Sequence, residues 1–567
     1  SENYNPYFSK SGKRLYLGTA PIKPLRDTSL IEMDLVKLDV WHYNDDYLQP
    51  YQLKNVDQES KRSYLSFVDL PNRKFQQLAD LDIPVVMTAK EGDGDLFVGI
   101  TDKGNRIPMQ WNGSTSKTAY LINPQSGEKQ KIVSDLEGMP QISPDGNYVY
   151  WYDMNKRNYF TYSTGVIRNI SKSIPFKLYD EDYDMPSDPT PYGIMKWHQK
   201  DSFLYVYDRY DIWRLDPLAL KAPLNITAGA GRKGSLSFRY INTDPEERFL
   251  RSNQMIYLKT FQEKDKQAGI ASMNLCCGNT PRQLQQGKYA LGIIAMARSS
   301  NGFIYTKESF AHSPDMYFSK DLQVDKRLST INTQQSSYNW ITAELFNWKA
   351  YDGKQATGIV YKPENFDPSK KYPLIAYFYE TLSDGLYNYM APSPTPSRLN
   401  IPFFVSRGYI VLAPDIHYKN GYPGKAAFDY VVSGARALVK KGWVDSTKMG
   451  IQGQSWGGYQ VAHIITRTPV FAAAWAGAPV ANMTSAYGGI RWESGMNRQF
   501  QYEKTQSRIG ATLWQKPQLF IENSPLFHLP KVKTPLVIMS NDNDGAVPWY
   551  QGIEMFTAMR RLNQKVW

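Results

Sequence analysis

The chain has 567 residues, of which 42% are hydrophobic and 21% are charged, and it is too long for one ordinary globular domain. Its net charge of +12 comes from small basic groups such as Lys10–Arg14, so we interpret it as a solvated surface and expect no nucleic-acid partner. The longest apolar stretches, such as Phe471–Ala481, fall well short of the roughly 20 residues that span a bilayer, which excludes a predicted membrane span.

Residues 1–336 read as short strands joined by turns. A glycine-containing turn followed by alternating strand residues occurs in Phe8–Gly18 and again in Ile142–Trp151, which is the pattern of a hairpin. Units of about 40–50 residues are typical of a β-propeller, and this length has room for roughly seven blades. The alternative is a β-sandwich or a string of unrelated β domains. Because the chain opens on such a unit at Phe8, we expect it to begin inside the propeller.

From about Ser337 the pattern changes to strands that alternate with helices, which indicates a doubly wound, mostly parallel sheet. Residues 337–567 are therefore assigned to a second domain. The predicted strands are Ile341–Trp348, Gln355–Tyr361, Pro373–Tyr379, Tyr409–Pro414, Phe471–Trp475 and Pro535–Met539, and the predicted helices are Ser397–Arg407, Ala426–Lys441 and Pro548–Leu562.

The segment Gly453-Gln454-Ser455-Trp456-Gly457 has the form G-x-S-x-G, between a short apolar run and a helix-like stretch. A strand, a sharp turn and a helix are the context in which this motif presents a nucleophilic serine, as in α/β-hydrolases. Glycines flank the serine because the turn leaves no room for side chains. The N–H of Trp456 would then point at a tetrahedral oxyanion. The alternative is a glycine-rich structural turn.

A serine hydroxyl needs a base, and the base needs an acid that fixes its tautomer. In this fold class the chain order is Ser, then Asp or Glu, then His. Asp542 and Asp544 both follow the predicted strand Pro535–Met539, and Asp544 is the preferred acid. Either residue could instead cap the helix that Pro548 opens.

At this point the sequence resembles the prolyl oligopeptidase family, in its branch of dipeptidyl peptidase IV and prolyl tripeptidyl peptidase. In architecture the resemblance covers the whole chain. Specific sequence motifs of the family are matched only from about Trp348 onward. The segments that carry it are Tyr361–Asp367, Tyr372–Leu374, Gly453–Tyr459, Ala478–Val480, Asn523–Pro525 and Asn541–Val547.

The resemblance implies a role for each matching position. Ser455 would be the nucleophile and Asp544 the acid of the triad. The hydroxyl of Tyr379 would join the Trp456 N–H in the oxyanion hole. By the same resemblance, Val480 and Val547 would line the pocket for the side chain before the scissile bond.

The sequence departs from the family at the base, because no histidine follows Asp544. All six precede it, namely His42, His198, His312, His417, His463 and His528. His463 lies on the helix after the motif, where packing is its expected role. The chain stops at Leu562–Trp567, which looks like the start of another strand. We therefore expect the sequence to be cut short before the base, and the alternative is an inactive protein that ends here.

Two further departures concern the substrate. The family's Gly-Gly-Pro-like segment is replaced by Glu380-Thr381-Leu382, so the oxyanion hole would differ in shape. The aromatic cluster that grips proline is not evident in Ala481–Tyr487, so a proline preference does not follow. Family exopeptidases hold the substrate's amino terminus with propeller carboxylates, for which the run Asp180–Asp184 is a candidate by charge; the alternative is a solvated loop.

The sequence thus predicts a β-propeller followed by an α/β-hydrolase domain. It predicts a serine peptidase that cleaves short peptides through an acyl-enzyme, as an exopeptidase of dipeptidyl or tripeptidyl type. An esterase on the same fold and a catalytically silent binding protein are the alternatives. No metal or organic cofactor is implied, and a homodimer is left open.

The two cysteines, Cys276 and Cys277, are adjacent, and vicinal cysteines rarely bridge, so neither a disulfide framework nor a metal site is predicted. Ser1 is not an initiator methionine, so a leader segment could have been removed. Low cysteine content and this start favour a periplasmic or secreted location, with the cytoplasm as the alternative.

Overall fold

The computed structural model describes the chain from Ser1 to Trp567 except residues 23–28, 30, 35, 37, 276–277, 301 and 396–397. Cys276 and Cys277 lie outside the described residues, so what the sequence predicts of them stays a prediction. No helix of the described part is both long enough and apolar enough to cross a membrane.

Alternating apolar residues and tight turns build six four-stranded antiparallel sheets in the first part of the chain, each a meander in chain order. The first three sheets comprise Tyr7–Phe8, Arg14–Thr19, Tyr64–Asp69 and Lys74–Gln77; Val85–Met87, Phe97–Thr101, Lys117–Ile122 and Lys129–Leu136; and Gln141–Ile142, Val149–Asp153, Asn158–Ser163 and Val166–Asn169. The next three comprise Ile194–Trp197, Leu204–Tyr207, Ile212–Leu215 and Leu224–Asn225; Leu236–Tyr240, Met255–Gln262, Ala268–Asn274 and Arg282–Gly287; and Ala290–Met296, Phe303–Ser309, His312–Ser319 and Lys326–Arg327.

Short helices connect some of these strands. They are Gln49–Ser60, Met109–Asn112 and Ala230–Gly234, with 3-10 turns at Glu32–Asp34, Lys90–Gly92, Gln199–Asp201 and Thr333–Ser337. The two hairpin units expected from the sequence, at Phe8–Gly18 and Ile142–Trp151, are both present.

Each sheet shares a buried apolar cluster with the next sheet along the chain. The clusters that join successive sheets hold, in chain order, both Phe67 and Phe97, both Val98 and Trp151, both Tyr150 and Leu204, both Tyr207 and Ile256, and both Ile270 and Phe303. Sheets stacked face to face in chain order are what a propeller requires. The described residues thus hold six such units where the sequence suggested about seven, and the propeller itself stays a prediction.

The second domain contains a seven-stranded sheet. In spatial order its strands are Ile341–Lys349, Gln355–Pro363, Ile410–Pro414, Tyr372–Tyr377, Val444–Gln454, Ala473–Gly477 and Leu536–Met539. The first two run antiparallel to their neighbours and the last five are mutually parallel, so the predicted mostly parallel sheet is confirmed. Val566 forms a further parallel bridge with Leu536, as expected of a strand starting in Leu562–Trp567.

Helices cover both faces of this sheet. Pro423–Lys440 and Trp456–Ile465 pack on the larger buried cluster, and Ile401–Val405 packs on the smaller cluster of the opposite face. Of the predicted helix Ser397–Arg407, Ser397 lies outside the described residues, and the structure has a helix over Ile401–Val405. Asn400 caps its first turn by accepting a hydrogen bond from the Phe403 amide at 3.1 Å.

The remaining elements surround the carboxyl edge of the sheet and its last strand. They are the helices Met483–Tyr487, Gln499–Glu503, Pro517–Glu522 and Tyr550–Arg561, the 3-10 segments Ser383–Gly385 and Pro525–Lys531, and a small hairpin of Ile490–Arg491 with Met496–Asn497. The last helix begins at Tyr550, two residues after the predicted start at Pro548.

Candidate active site

Ser455 occupies the sharp turn between the strand Val444–Gln454 and the helix Trp456–Ile465. Its backbone has φ 57° and ψ −115°, which is unfavourable for a residue with a side chain. The Ser455 amide donates to the Gly477 carbonyl at 2.8 Å, and the Tyr459 amide donates to the Ser455 carbonyl at 2.9 Å. The predicted strand, turn and helix are therefore present, with a serine held in a strained conformation at the turn.

Close backbone contacts explain the glycines around this turn. A Cβ atom on Gly453 would lie 2.4 Å from the main chain of Gly457, and one on Gly457 would lie 2.7 Å from the Phe378 carbonyl oxygen. A Cβ on Gly458 would lie 2.2 Å from the Gly477 carbonyl oxygen. Only hydrogen fits at these positions, so the helix can approach the sheet closely enough to expose the serine.

Two donors are available for an oxyanion next to Ser455. Trp456 is the first residue of its helix, so its amide has no acceptor within the helix and points out from the positive end of the helix dipole. Tyr379 follows the neighbouring strand Tyr372–Tyr377, and its side chain is 36% exposed. Its hydroxyl accepts a hydrogen bond from Gln506 Nε2 at 3.1 Å, which leaves the O–H free to donate elsewhere.

Asp544 and Asp542 differ clearly in their surroundings. Asp542 is exposed, whereas Asp544 is partly buried, and its Oδ1 accepts the Ala546 and Val547 amides at 2.8 and 3.0 Å. Among the described residues nothing donates to its Oδ2. The helix that follows begins at Tyr550 without a side-chain cap, so Asp544 does not act as its cap. One oxygen of Asp544 is thus fixed by the loop and the other is available to orient a base.

The sheet brings Ser455 and Asp544 to the same edge. Both follow the carboxyl ends of parallel strands, with only the strand Ala473–Gly477 between them. Two strand spacings amount to about 10 Å. An imidazole with a hydrogen bond of about 3 Å at each nitrogen spans most of such a gap. Among the described residues the Ser455 hydroxyl has no hydrogen-bond partner.

None of the six described histidines is placed to act as this base. His463 is fully buried on the helix after Ser455 and packs beside Gly424, where burial lowers its pKa to about 3. His417 is exposed and contacts Tyr430. It follows the strand Ile410–Pro414, and the strand Tyr372–Tyr377 separates that strand from the one that leads to Ser455. His528 faces Glu522, and the other three lie in the β-rich part of the chain.

Val480 and Val547, which the resemblance assigns to a substrate pocket, lie close to this edge. Val480 follows the strand Ala473–Gly477, and Val547 follows the Asp544 turn. Both are only 5% exposed and belong to the main buried cluster of the domain. Their role as pocket residues stays a prediction.

A polar network that the sequence did not reveal holds the Tyr379 main chain. Its carbonyl oxygen accepts Gln460 Nε2 at 2.7 Å and lies 3.1 Å from the Tyr418 hydroxyl. That hydroxyl in turn accepts the indole N–H of Trp456 at 3.1 Å. Burial raises the pKa of Tyr418 well above its ordinary value, so the hydroxyl stays protonated. No sequence motif marks Gln460, Tyr418 or Gln506, which are far apart in the chain.

Within the acidic run Asp180–Asp184 three carboxylates pair with arginines, whereas Asp180 has no ion pair among the described residues. Asp184 pairs with Arg508 of the hydrolase domain at 2.7 Å, Asp182 pairs with Arg209 at 2.6 Å, and Glu181 pairs with Arg232 at 2.9 Å. A cavity of about 670 Å³ lies beside this run, between the two domains, and Glu380 also lines it.

Fold and site together define a domain of α/β-hydrolase type with a strained serine at its strand–helix turn, preceded by a domain of stacked four-stranded sheets. Residues 395–567 match the prolyl oligopeptidase family.

The similar proteins are peptidases by name. The chain is 24% identical over 491 residues to "Probable glutamyl endopeptidase, chloroplastic" of Arabidopsis thaliana, which covers 81% of this chain and 46% of that protein. It is 28% identical over 236 residues to dipeptidyl-peptidase 5 of Porphyromonas endodontalis, covering 37% of this chain and 30% of that one. The chain therefore spans less than half the length of either relative.

A solved structure extends the likeness to nearly the whole chain. Dipeptidyl peptidase 4 of Porphyromonas gingivalis aligns with a TM-score of 0.53 at 13% sequence identity, covering 99% of this chain and 85% of that one. At this identity the likeness is one of fold alone.

Proposed function

We propose that this protein is a serine peptidase that cleaves short peptides through an acyl-enzyme, with the six stacked sheets acting as propeller blades that cover the site. The observation that carries the proposal is the strained Ser455 at the strand–helix turn. Asp544 lies at the same sheet edge, and the hydroxyl of Tyr379 and the N–H of Trp456 are available beside the serine.

In this mechanism the Ser455 oxygen attacks the substrate carbonyl while a histidine, which is none of the six in the printed sequence, takes its proton. Asp544 Oδ2 accepts the other N–H of that imidazole and holds it in the required tautomer. The Trp456 amide and the Tyr379 hydroxyl stabilise the tetrahedral oxyanion, and each such donor contributes roughly 10²–10³-fold in kcat. The histidine then protonates the leaving amine, and water hydrolyses the acyl-enzyme by the same route.

The cavity between the domains is large enough for a short peptide and is lined by Glu380, the residue after Tyr379, although Ser455 is not in its wall. Its volume of about 670 Å³ lies within the usual range for small-ligand pockets, about 300–1,000 Å³. It is lined by residues of both domains.

The mode of release depends on which group holds the amino terminus of the substrate. An exopeptidase would hold the substrate's amino terminus with a carboxylate. In the run Asp180–Asp184, Glu181, Asp182 and Asp184 already pair with arginines, which leaves Asp180 in the wall of the cavity. We therefore propose that free-amine and amine-blocked peptides should be compared before a dipeptidyl or tripeptidyl type is assigned.

One observation favours a preference for substrates with glutamate before the scissile bond. Arg491 is partly buried and interacts electrostatically with Asp544 and Tyr379, and the carboxylate of the exposed Glu493 lies 3.7 Å from its guanidinium. Burial, followed by the neighbouring Arg498, lowers the pKa of Arg491. The Arabidopsis relative is named as a glutamyl endopeptidase, so glutamyl and prolyl substrates both belong in the panel.

The test uses the native protein, isolated from its source, with a fluorophosphonate probe. We expect labelling at Ser455, found by peptide mass spectrometry, and loss of labelling in the Ser455→Ala variant. Hydrolysis of aminoacyl amides would establish a peptidase, whereas cleavage of simple esters alone would establish an esterase. Absence of labelling in the folded native protein would overturn the proposal and favour a silent binding protein.

A further inference from the structure

Arg508 is an unusual residue for a loop between short helices. Its side chain is 2% exposed, yet it carries a charge, and its backbone has φ 50°, in the left-handed region. A buried cation in a strained backbone conformation persists only where the surrounding contacts fix it firmly. The residues that Arg508 contacts therefore indicate which parts of the structure this loop holds in place.

The guanidinium joins the two domains. Arg508 Nε and Nη2 donate to Asp184 Oδ1 at 2.9 and 2.7 Å, across 324 residues of sequence. Nη2 also donates to Glu380 Oε2 at 2.8 Å. The guanidinium lies over the ring of Tyr418, 4.0 Å from its centre. Only a guanidinium, which carries several N–H donors in one plane, can donate to the carboxylates of Asp184 and Glu380 at once.

From Glu380 the network continues to the proposed oxyanion donor. Gln506 Nε2 donates to Glu380 Oε1 at 3.0 Å and to the Tyr379 hydroxyl at 3.1 Å. The two hydrogens of one amide group are thereby divided between a carboxylate and the phenol. The position of the Tyr379 hydroxyl thus depends on Gln506 and on the Glu380 carboxylate that Arg508 fixes.

A second branch reaches the other oxyanion donor. Asp184 Oδ2 accepts the Tyr418 amide at 2.9 Å, and the Tyr418 hydroxyl accepts the indole N–H of Trp456 at 3.1 Å. One carboxylate of the β-rich domain is therefore linked, through Arg508 and Tyr418, to both residues that would stabilise the oxyanion.

We infer that Arg508 is a positioning residue that makes the geometry of the oxyanion hole depend on contact with the β-rich domain through Asp184. The inference rests on the proposed function, because it concerns the same site. Arg508 touches no reacting atom; it acts by holding Glu380, and through Gln506 the Tyr379 hydroxyl. A hydrolase domain separated from Asp184 would keep its serine but lose the alignment of Tyr379.

The inference is tested by a double-mutant cycle on the native protein with Arg508→Gln and Tyr379→Phe, using a peptide amide substrate. Misplacing a transition-state donor by about 1 Å costs up to about 100-fold, so we expect Arg508→Gln to lower kcat about 10- to 100-fold with little change in KM. Because Arg508 acts through the Tyr379 hydroxyl, the same change should cost at most about threefold in the Tyr379→Phe background.

Several variants control for folding. Arg508→Lys keeps the charge without the planar set of N–H donors and should give an intermediate kcat. Arg467→Gln is the matched control, because it removes the Arg467–Glu522 ion pair, which has no contact with Tyr379, and should leave kcat unchanged. If Arg508→Gln does not fold, Asp184→Asn replaces it in the cycle, with the same non-additivity expected.

The outcomes separate this inference from the proposed function. Multiplicative effects of the two substitutions, or an unchanged kcat in Arg508→Gln, would overturn the positioning role while leaving the peptidase intact. An unchanged kcat in Tyr379→Phe alone would count against the oxyanion hole itself, and the inference would be lost with it.

Discussion

The Ser455 amide donates a hydrogen bond of 2.8 Å to the Gly477 carbonyl oxygen, which fastens the nucleophile turn to the next strand of the sheet. The same oxygen faces Gly458, where an added Cβ would lie 2.2 Å away. The strained backbone of Ser455 and the close approach of its helix therefore depend on one carbonyl group.

This contact makes Gly458→Ala a sensitive substitution. The added methyl group must push the helix away from Gly477, so we expect the free energy of unfolding to fall by about 1–3 kcal/mol, as for other overpacked sites, and probe labelling of Ser455 to fall with it. Gly488→Ala is the control, because nothing lies within 4 Å of its Cβ, and it should change stability by less than about 0.5 kcal/mol. Urea unfolding gives both values.

The two aspartates after the strand Leu536–Met539 should differ in their effect on catalysis. Asp544→Asn should lower kcat by about 10³–10⁴-fold, because an amide at Oδ2 favours the wrong tautomer of the base. Asp542→Asn, at an exposed position, should stay within about twofold of the unaltered protein. Steady-state kinetics on one amide substrate would decide the assignment, and equal losses in both variants would contradict it.

Removing the Tyr379 hydroxyl tests the oxyanion hole directly. Tyr379→Phe deletes one donor to the developing charge and should lower kcat about 10²–10³-fold with a small change in KM. The exposed Tyr338 supplies a control, since Tyr338→Phe removes a hydroxyl on the surface. A loss confined to KM would assign Tyr379 to ground-state binding instead.

His463 should make the protein sensitive to acid. Burial lowers its folded-state pKa to about 3, whereas the unfolded value is about 6.5. Its neutral form therefore stabilises the fold fully above about pH 6.5, and this stability is lost as the pH falls toward 3 because only the unfolded chain takes up the proton. Between pH 6.5 and 5 the loss from this residue is about 2 kcal/mol, at about 1.36 kcal/mol per unit.

The measurement is urea unfolding at pH 7 and pH 5. We expect His463→Asn to lose about 2 kcal/mol less between the two values than the unaltered protein does. His42→Asn, at an exposed site, should lose as much as the unaltered protein. Equal pH dependence in all three proteins would show that His463 titrates normally.

Much of the second domain could be read from the sequence. The strand and helix patterns around Ser455, Tyr379 and Asp544 predicted elements that the structure contains within a few residues of the expected bounds. Local signals sufficed because apolar periodicity and glycines at a tight turn act over a few neighbouring residues. The sequence also indicated repeated hairpins before residue 336, though not that the described residues form six sheets.

Only the tertiary structure decided how distant polar residues are used. The run Asp180–Asp184 has the same charge in any fold, but folding sets Asp184 against Arg508, 324 residues away. It likewise distinguished Asp544, with its hydrogen-bonded Oδ1, from the exposed Asp542. Such pairings depend on which chain segments meet in space, and no local periodicity encodes them. The physical reason is that the energy of a buried charge is set by the partners that packing brings to it.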